Sequence, residues 1–168
     1  FQPVRNGVGG QITAWLERLG PEGQRGVLRD FTQKDLRQWK RRSCDHRGFT
    51  VIRHPVPRLY DAFCRHILGD GPAAYPEIRQ TLVKTYKLPL PEGTPGADFG
   101  PDEIRAAFIG FAEFVKGNLS GQTGIRVDTA WASQDMLLRG LSELFPPDAV
   151  IRHEQLETGL EQICAQLG

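Results

Sequence analysis

The chain has 168 residues, is 39% hydrophobic and 24% charged, and carries a formal net charge of +1, so one domain able to bury roughly 70% of its unfolded surface is expected and no field for gathering nucleic acid or an anionic membrane follows. No apolar run approaches the ~20 residues that cross a bilayer, and no targeting signal is visible. Cys44, Cys64 and Cys164 are odd in number and far apart; they fit neither a metal spacing nor a disulfide framework, which reads as reduced thiols and a cytoplasmic location.

Ile12, Trp15, Leu16 and Leu19 recur at i, i+3, i+4 and i+7 and predict an amphipathic helix that Gly20-Pro21 stops. Thr32 and Asp35 have capping-box spacing and predict a second helix with Leu36 and Trp39 inward. Its end, Lys40-Arg41-Arg42, is either a set of cations favoured by the helix dipole or a ligand-facing basic patch. Phe49 to Ile52 predict a short buried strand. Leu59, Phe63 and Ile67 then predict a helix over 57–68, ending near Gly69. Pro76 opens another, with Ile78, Leu82 and Tyr86 on one face. The Pro- and Gly-rich run from Leu88 to Gly100 predicts a loop.

Pro101-Asp102-Glu103 starts a long helix whose stripe of Ile104, Phe108, Phe111, Phe114 and Val115 reads as core rather than as a cofactor box. It ends near Gly117-Asn118. Leu137, Leu141, Leu144 and Phe145 mark a further helix, stopped by Pro146-Pro147. Ala149 to Ile151 predict a second strand, and Leu156, Leu160, Ile163 and Leu167 a closing helix. Strand followed by helix thus occurs at 49–68 and at 149–167. That order predicts a helix-rich α/β domain over residues 1–168, a parallel sheet with helical covers. Two strands make a poor sheet, and a missing N-terminal strand would account for the deficit. The start at Phe1 rather than Met agrees with a fragment.

Open α/β sheets bind ligands at the carboxyl ends of their strands. Arg53 occupies such an end, in the run Ile52-Arg53-His54-Pro55-Val56-Pro57. The helix that follows would bring an N-terminus there, with Arg58 in its first turn and Arg65 further along. This predicts a phosphate site, with a surface ion pair of Arg53 as the other reading. His46, His54, His66 and His153 form no close metal pair, and no metal is expected. Each is a candidate general base at neutral pH. Glu154 reads as a helix-start carboxylate or ion-pair partner before it reads as catalytic. Trp131 and Gln134 either pack or bind ligand.

The stretch FTVIRHPVPRLYDAF, Phe49 to Phe63, resembles the 3′-phosphate-binding segment of sulfotransferases that use 3′-phosphoadenosine 5′-phosphosulfate (PAPS). It is most similar to the carbohydrate sulfotransferase branch and its bacterial nodulation-type relatives. DTAWASQDMLL, Asp128 to Leu138, resembles the Trp-x-x-Gln segment of that branch, and Asp148 to Gly168 its closing strand-Glu-helix unit. The resemblance implies a P-loop-like fold, PAPS as cofactor and transfer of a sulfuryl group to a hydroxyl on a small-molecule or carbohydrate acceptor. It implies that Arg53 contacts the 3′-phosphate, with Arg58 as a neighbouring nucleotide contact. Eight positions after Arg53 the family usually carries Ser as second phosphate ligand, where this sequence has Asp61. An ionised carboxylate has no proton to donate to a phosphate, so Asp61 implies weak nucleotide binding. The family's Pro-Lys-x-Gly-Thr-Thr type phosphosulfate loop has no match. RNGVGGQIT, Arg5 to Thr13, has the glycines but not the Lys followed by Ser/Thr. The loop is expected upstream of Phe1 or lost. Two other readings stay open: a non-catalytic relative that binds a ligand or partner, and a nucleotide-dependent kinase-like P-loop enzyme.

Overall fold

The computed structural model describes residues 1, 4, 7–19, 32–42, 47–91, 93, 95, 96, 99–142 and 146–167. Its elements in chain order are α1 (Gly9–Arg18), α2 (Gln33–Arg42), β1 (Phe49–Ile52), α3 (Pro55–Ala62), a π-helical turn (Phe63–Leu68), α4 (Pro76–Lys84), α5 (Pro101–Leu119), α6 (Gln134–Ser142), β2 (Ala149–Arg152), a 3₁₀ turn (His153–Gln155) and α7 (Leu156–Leu167). They fall into two compact units. One is Phe1–His54 with Ser133–Gly168, and the other is Pro55–Ala132. Gly20-Pro21, Cys44, His46, Leu144 and Phe145 lie outside the described residues, as do the side chains of Leu36, Leu141 and Leu167.

In the first unit β1 and β2 pair in parallel, from Phe49 opposite Ala149 to Ile52 opposite Arg152. Phe49, Thr50 and Val51 are all buried, so β1 is covered on both faces, as a continuous apolar run requires. β2 buries only Ile151, and Val150 is 55% exposed. Ile12 and Leu16 of α1 and Leu160 and Ile163 of α7 complete this core with Val51 and Ile151. Gly159 lets α7 come close to β2: a Cβ there would lie 2.6 Å from Cγ2 of Ile151. The strand starts are stapled to each other. Gly48 N–H donates to the Asp148 carboxylate at 2.7 Å, and Asp148 N–H donates to the Gly48 carbonyl at 2.7 Å. The capping box of α2 forms as its spacing predicts. Thr32 N–H donates to Asp35 Oδ2 at 3.0 Å, and Asp35 N–H donates to Thr32 Oγ1 at 3.2 Å.

In the second unit α3 begins at Pro55, two residues before the expected start at 57. Both prolines lie in its first turn, where no backbone N–H is needed and a fixed φ helps. After Ala62 the helix widens. Gly69 N–H donates to the Cys64 carbonyl at 2.9 Å, five residues back, which is a π-helical bond. Phe63 and Ile67 remain fully buried through this change. α4 starts on Pro76 and α5 on Pro101, each at the first helical position. The aromatic stripe of α5 is core: Phe111 lies 5.6 Å from Phe63 and 5.8 Å from Trp131, centroid to centroid. The segment after α4 is the loop its prolines and glycines predict, and its Leu88 and Leu90 are buried against the same core. Lys87 turns the chain there with φ 55°.

Candidate functional site

The carboxyl ends of both strands lie in the first unit and bring five side chains together: Arg53 and His54 after β1, His153 and Glu154 after β2, and Gln134 at the start of α6. Gln134 holds the backbone of Arg53 from two sides. Arg53 N–H donates to Gln134 Oε1 at 2.8 Å, and Gln134 Nε2 donates to the Arg53 carbonyl at 2.7 Å. The amide thereby supplies one donor and one acceptor, as the peptide of a neighbouring strand would. Gln134 can do this because α6 starts at a fixed point. Ser133 Oγ accepts from Met136 N–H at 3.1 Å, an N-cap bond to the third helical residue. The first turn of α6 also carries Asp135, paired with Arg139 at 2.6 Å on the exposed surface.

Glu154 sits in the 3₁₀ turn after β2. Its own backbone N–H, then that of His54, together with the charges of His153 and His54, hold its carboxyl below the usual range. It is therefore ionised at neutral pH and bridges the two strand ends. This is the helix-start and pairing role expected for it. Arg53 is half-buried and His54 exposed. A cationic side chain on a backbone held by Gln134 suits an oxyanion ligand.

The remaining predicted site residues lie in the second unit. Arg58 is 4% exposed, and its guanidinium donates to the carbonyls of Ala132 at 2.8 Å and Thr129 at 3.3 Å. Those bonds hold the end of the 120–132 segment to α3. Asp61 is half-buried one turn along the same helix, and its charge acts on the thiol of Cys64. Trp131 is buried and donates from Nε1 to Asn118 Oδ1 at 2.9 Å, which settles it as a packing residue. Asn118 in turn donates to the Ile125 carbonyl at 2.6 Å and to Thr123 Oγ1 at 2.7 Å. His66 is buried, with Nδ1 2.6 Å from the Ala73 carbonyl. Sequence reasoning missed the Ser133 cap, although Ser-Gln-Asp before an apolar run is a helix-start signal. It also left Gln134 undecided, since no local pattern reveals a bond across 81 residues.

A parallel strand pair, each strand followed directly by a helix, makes this a helix-rich protein of the α/β class. The sequence model of the sulfotransferase family matches residues 17–168, and the chain belongs to that family. No curated protein and no solved structure matches it significantly. Among the described residues no helix is long and apolar enough to cross a membrane.

Proposed function

We propose that the strand-end cluster binds the 3′-phosphate of PAPS through Arg53, on a P-loop-like fold, and that the protein serves sulfuryl transfer to a hydroxyl, of which a carbohydrate hydroxyl is the favoured kind. The observation that carries this reading is the two-sided hold of Gln134 on the Arg53 backbone. An arginine that must present its guanidinium to a phosphate gains from a fixed main chain, because less ordering entropy is lost on binding. Family membership supplies the chemistry. In the transfer, the bond from sulfur to the 5′-phosphate oxygen breaks as the bond from sulfur to the acceptor oxygen forms, and the acceptor proton passes to a base. Positioning and stabilisation of the developing charge carry most of the rate in such transfers. His54 and His153 are the histidines at this strand end and the candidates for the base.

Arg58 is bonded within the second unit, to the carbonyls of Ala132 and Thr129. Asp61 favours a second reading, a relative that keeps the nucleotide site without turnover, since the family usually has Ser at this position. Titration calorimetry with 3′,5′-adenosine bisphosphate tests the nucleotide site that both readings share, and turnover of PAPS separates them. The parent chain binds weakly, and Asp61→Ser binds several-fold more tightly. A protein in which Asp61→Ser leaves the affinity unchanged would show that position 61 does not meet the nucleotide.

A further inference from the structure

The segment that follows α4 leaves a hollow against α5 that the nucleotide reading does not use. Lys87 has φ 55°, a left-handed conformation in which glycine is the usual residue, and it turns the chain back onto α5. Leu88 is buried, and its N–H donates to the Leu82 carbonyl at 3.1 Å. The segment then crosses α5 at Gly110, where a Cβ would lie 3.6 Å from Leu88 Cγ and 3.6 Å from Pro89 Cδ. Around this crossing lies a cavity of about 510 Å³, within the ~300–1,000 Å³ typical of small-molecule sites.

Its lining is apolar at Leu88, Phe114 and Ile109, and Ile109 is left 51% exposed. A large apolar side chain in a concave place gains from being covered. The walls are held in place. The Tyr86 ring meets Phe114 edge-on at 4.9 Å, and its hydroxyl accepts from Gly124 N–H at 3.2 Å. Gln122 N–H donates to the Gly117 carbonyl at 2.9 Å, and Thr123 Oγ1 accepts from Asn118 Nδ2 at 2.7 Å. A site already ordered loses little entropy when it is filled. Among the described residues that line it, the charged ones are Lys87 on the returning segment and Glu113, one turn beyond Gly110 on α5. Both are exposed, and among the described residues they form no ion pair with each other.

We propose that this cavity binds a small zwitterion with an apolar body, of the class of the aliphatic α-amino acids. The carboxylate of such a molecule meets Lys87, its ammonium meets Glu113, and its side chain covers Leu88, Ile109 and Phe114. One cation and one anion, carried on two different walls beside an apolar surface, complement a molecule with the same three parts. A nucleotide or an acidic sugar fits less well, because its negative charge is repelled by Glu113. The site rests on α5 and the segment after α4 alone, and holds whether or not Arg53 binds a nucleotide.

The test follows the backbone amides of Gly110, Thr123 and Gly124 in ¹⁵N–¹H spectra of the full chain. Leucine is titrated at constant pH and ionic strength, beside isoamylamine, which lacks its carboxylate, and 4-methylvalerate, which lacks its ammonium. Leucine moves the three amides together and to saturation. Each analogue binds about two- to fivefold more weakly, the worth of one exposed charge pair. Lys87→Gly suits the left-handed turn and removes the ammonium, so it weakens leucine and 4-methylvalerate but not isoamylamine. Glu113→Gln weakens leucine and isoamylamine but not 4-methylvalerate. Amides that leucine leaves in place overturn the proposal. So do analogues that bind as tightly as leucine, which would make the hollow an apolar surface only. The unsubstituted chain carries the decisive titrations, so failure of a variant to fold does not obscure the result.

Discussion

Gln134 carries in its side chain the same donor and acceptor that a peptide bond offers, and it uses both on Arg53. Gln134→Glu keeps the acceptor and loses the donor, which sets a carboxylate oxygen against the Arg53 carbonyl. Gln134→Ala loses both. Each change leaves half-buried backbone groups short of partners, at about 1–3 kcal/mol, and loosens the strand end. The nucleotide affinity of both variants is expected to fall, and more for Glu, whose charge also repels phosphate. Trp131 and Asn118 give a second case. Trp131→Phe preserves most of the packing but orphans Asn118 Oδ1 in the core. A loss of about 2–3 kcal/mol in urea-induced unfolding is expected. A loss under 0.5 kcal/mol would show that the indole N–H matters little. At this scale the sequence is a partial guide. The place of Arg53 at the end of β1 is legible from the apolar run before it, whereas Gln134, which holds its backbone, lies 81 residues further on.

Helices and strands were read more reliably than their local geometry. The spacing of Leu59, Phe63 and Ile67 predicts a helix, and a helix is there, yet α and π turns bury the same side chains and periodicity does not tell them apart. The capping box of α2 was visible because both of its members are local. Close approach of α7 to β2 was not, since it depends on one residue without a Cβ. Gly159→Ala gains about 1 kcal/mol of helix propensity, but its methyl would meet Ile151 far inside contact distance. Overpacking of this kind costs about 1–3 kcal/mol, so a net loss near 1 kcal/mol is expected by chemical denaturation. Glu154 at the start of the 3₁₀ turn links stability to pH. Its carboxyl is held below the ordinary value of 4.5, so the folded state prefers the ionised form. The stabilisation is present above that ordinary value and disappears as pH falls through the lowered one. The stability difference between the parent and Glu154→Gln should therefore be constant near neutrality and shrink below pH 4.5. A difference that grows on acidification would reverse the assignment.

The whole chain divides at His54 and at Ala132, into a unit built on the parallel strands and a helical unit inserted between β1 and α6. Nothing in the composition marks these boundaries. The junctions His54-Pro55 and Ala132-Ser133 lack the Gly- and Ser-rich character of a flexible linker, and each unit has a core of its own. The parallel pairing of 49–52 with 149–152 was legible because each strand is followed directly by a helix, an order that crossover rules tie to parallel sheets. The strand-end function proposed above rests on that pairing and on the family. Its most direct test is a calorimetric comparison of the parent chain with Arg53→Ala, titrated with 3′,5′-adenosine bisphosphate and with adenosine 5′-monophosphate. If Arg53 holds the 3′-phosphate, the parent prefers the bisphosphate, and Arg53→Ala loses roughly 10- to 150-fold, the worth of one charge-assisted contact, while its weaker affinity for the monophosphate stays the same. Equal affinity of the two proteins for the bisphosphate would contradict the assignment of Arg53.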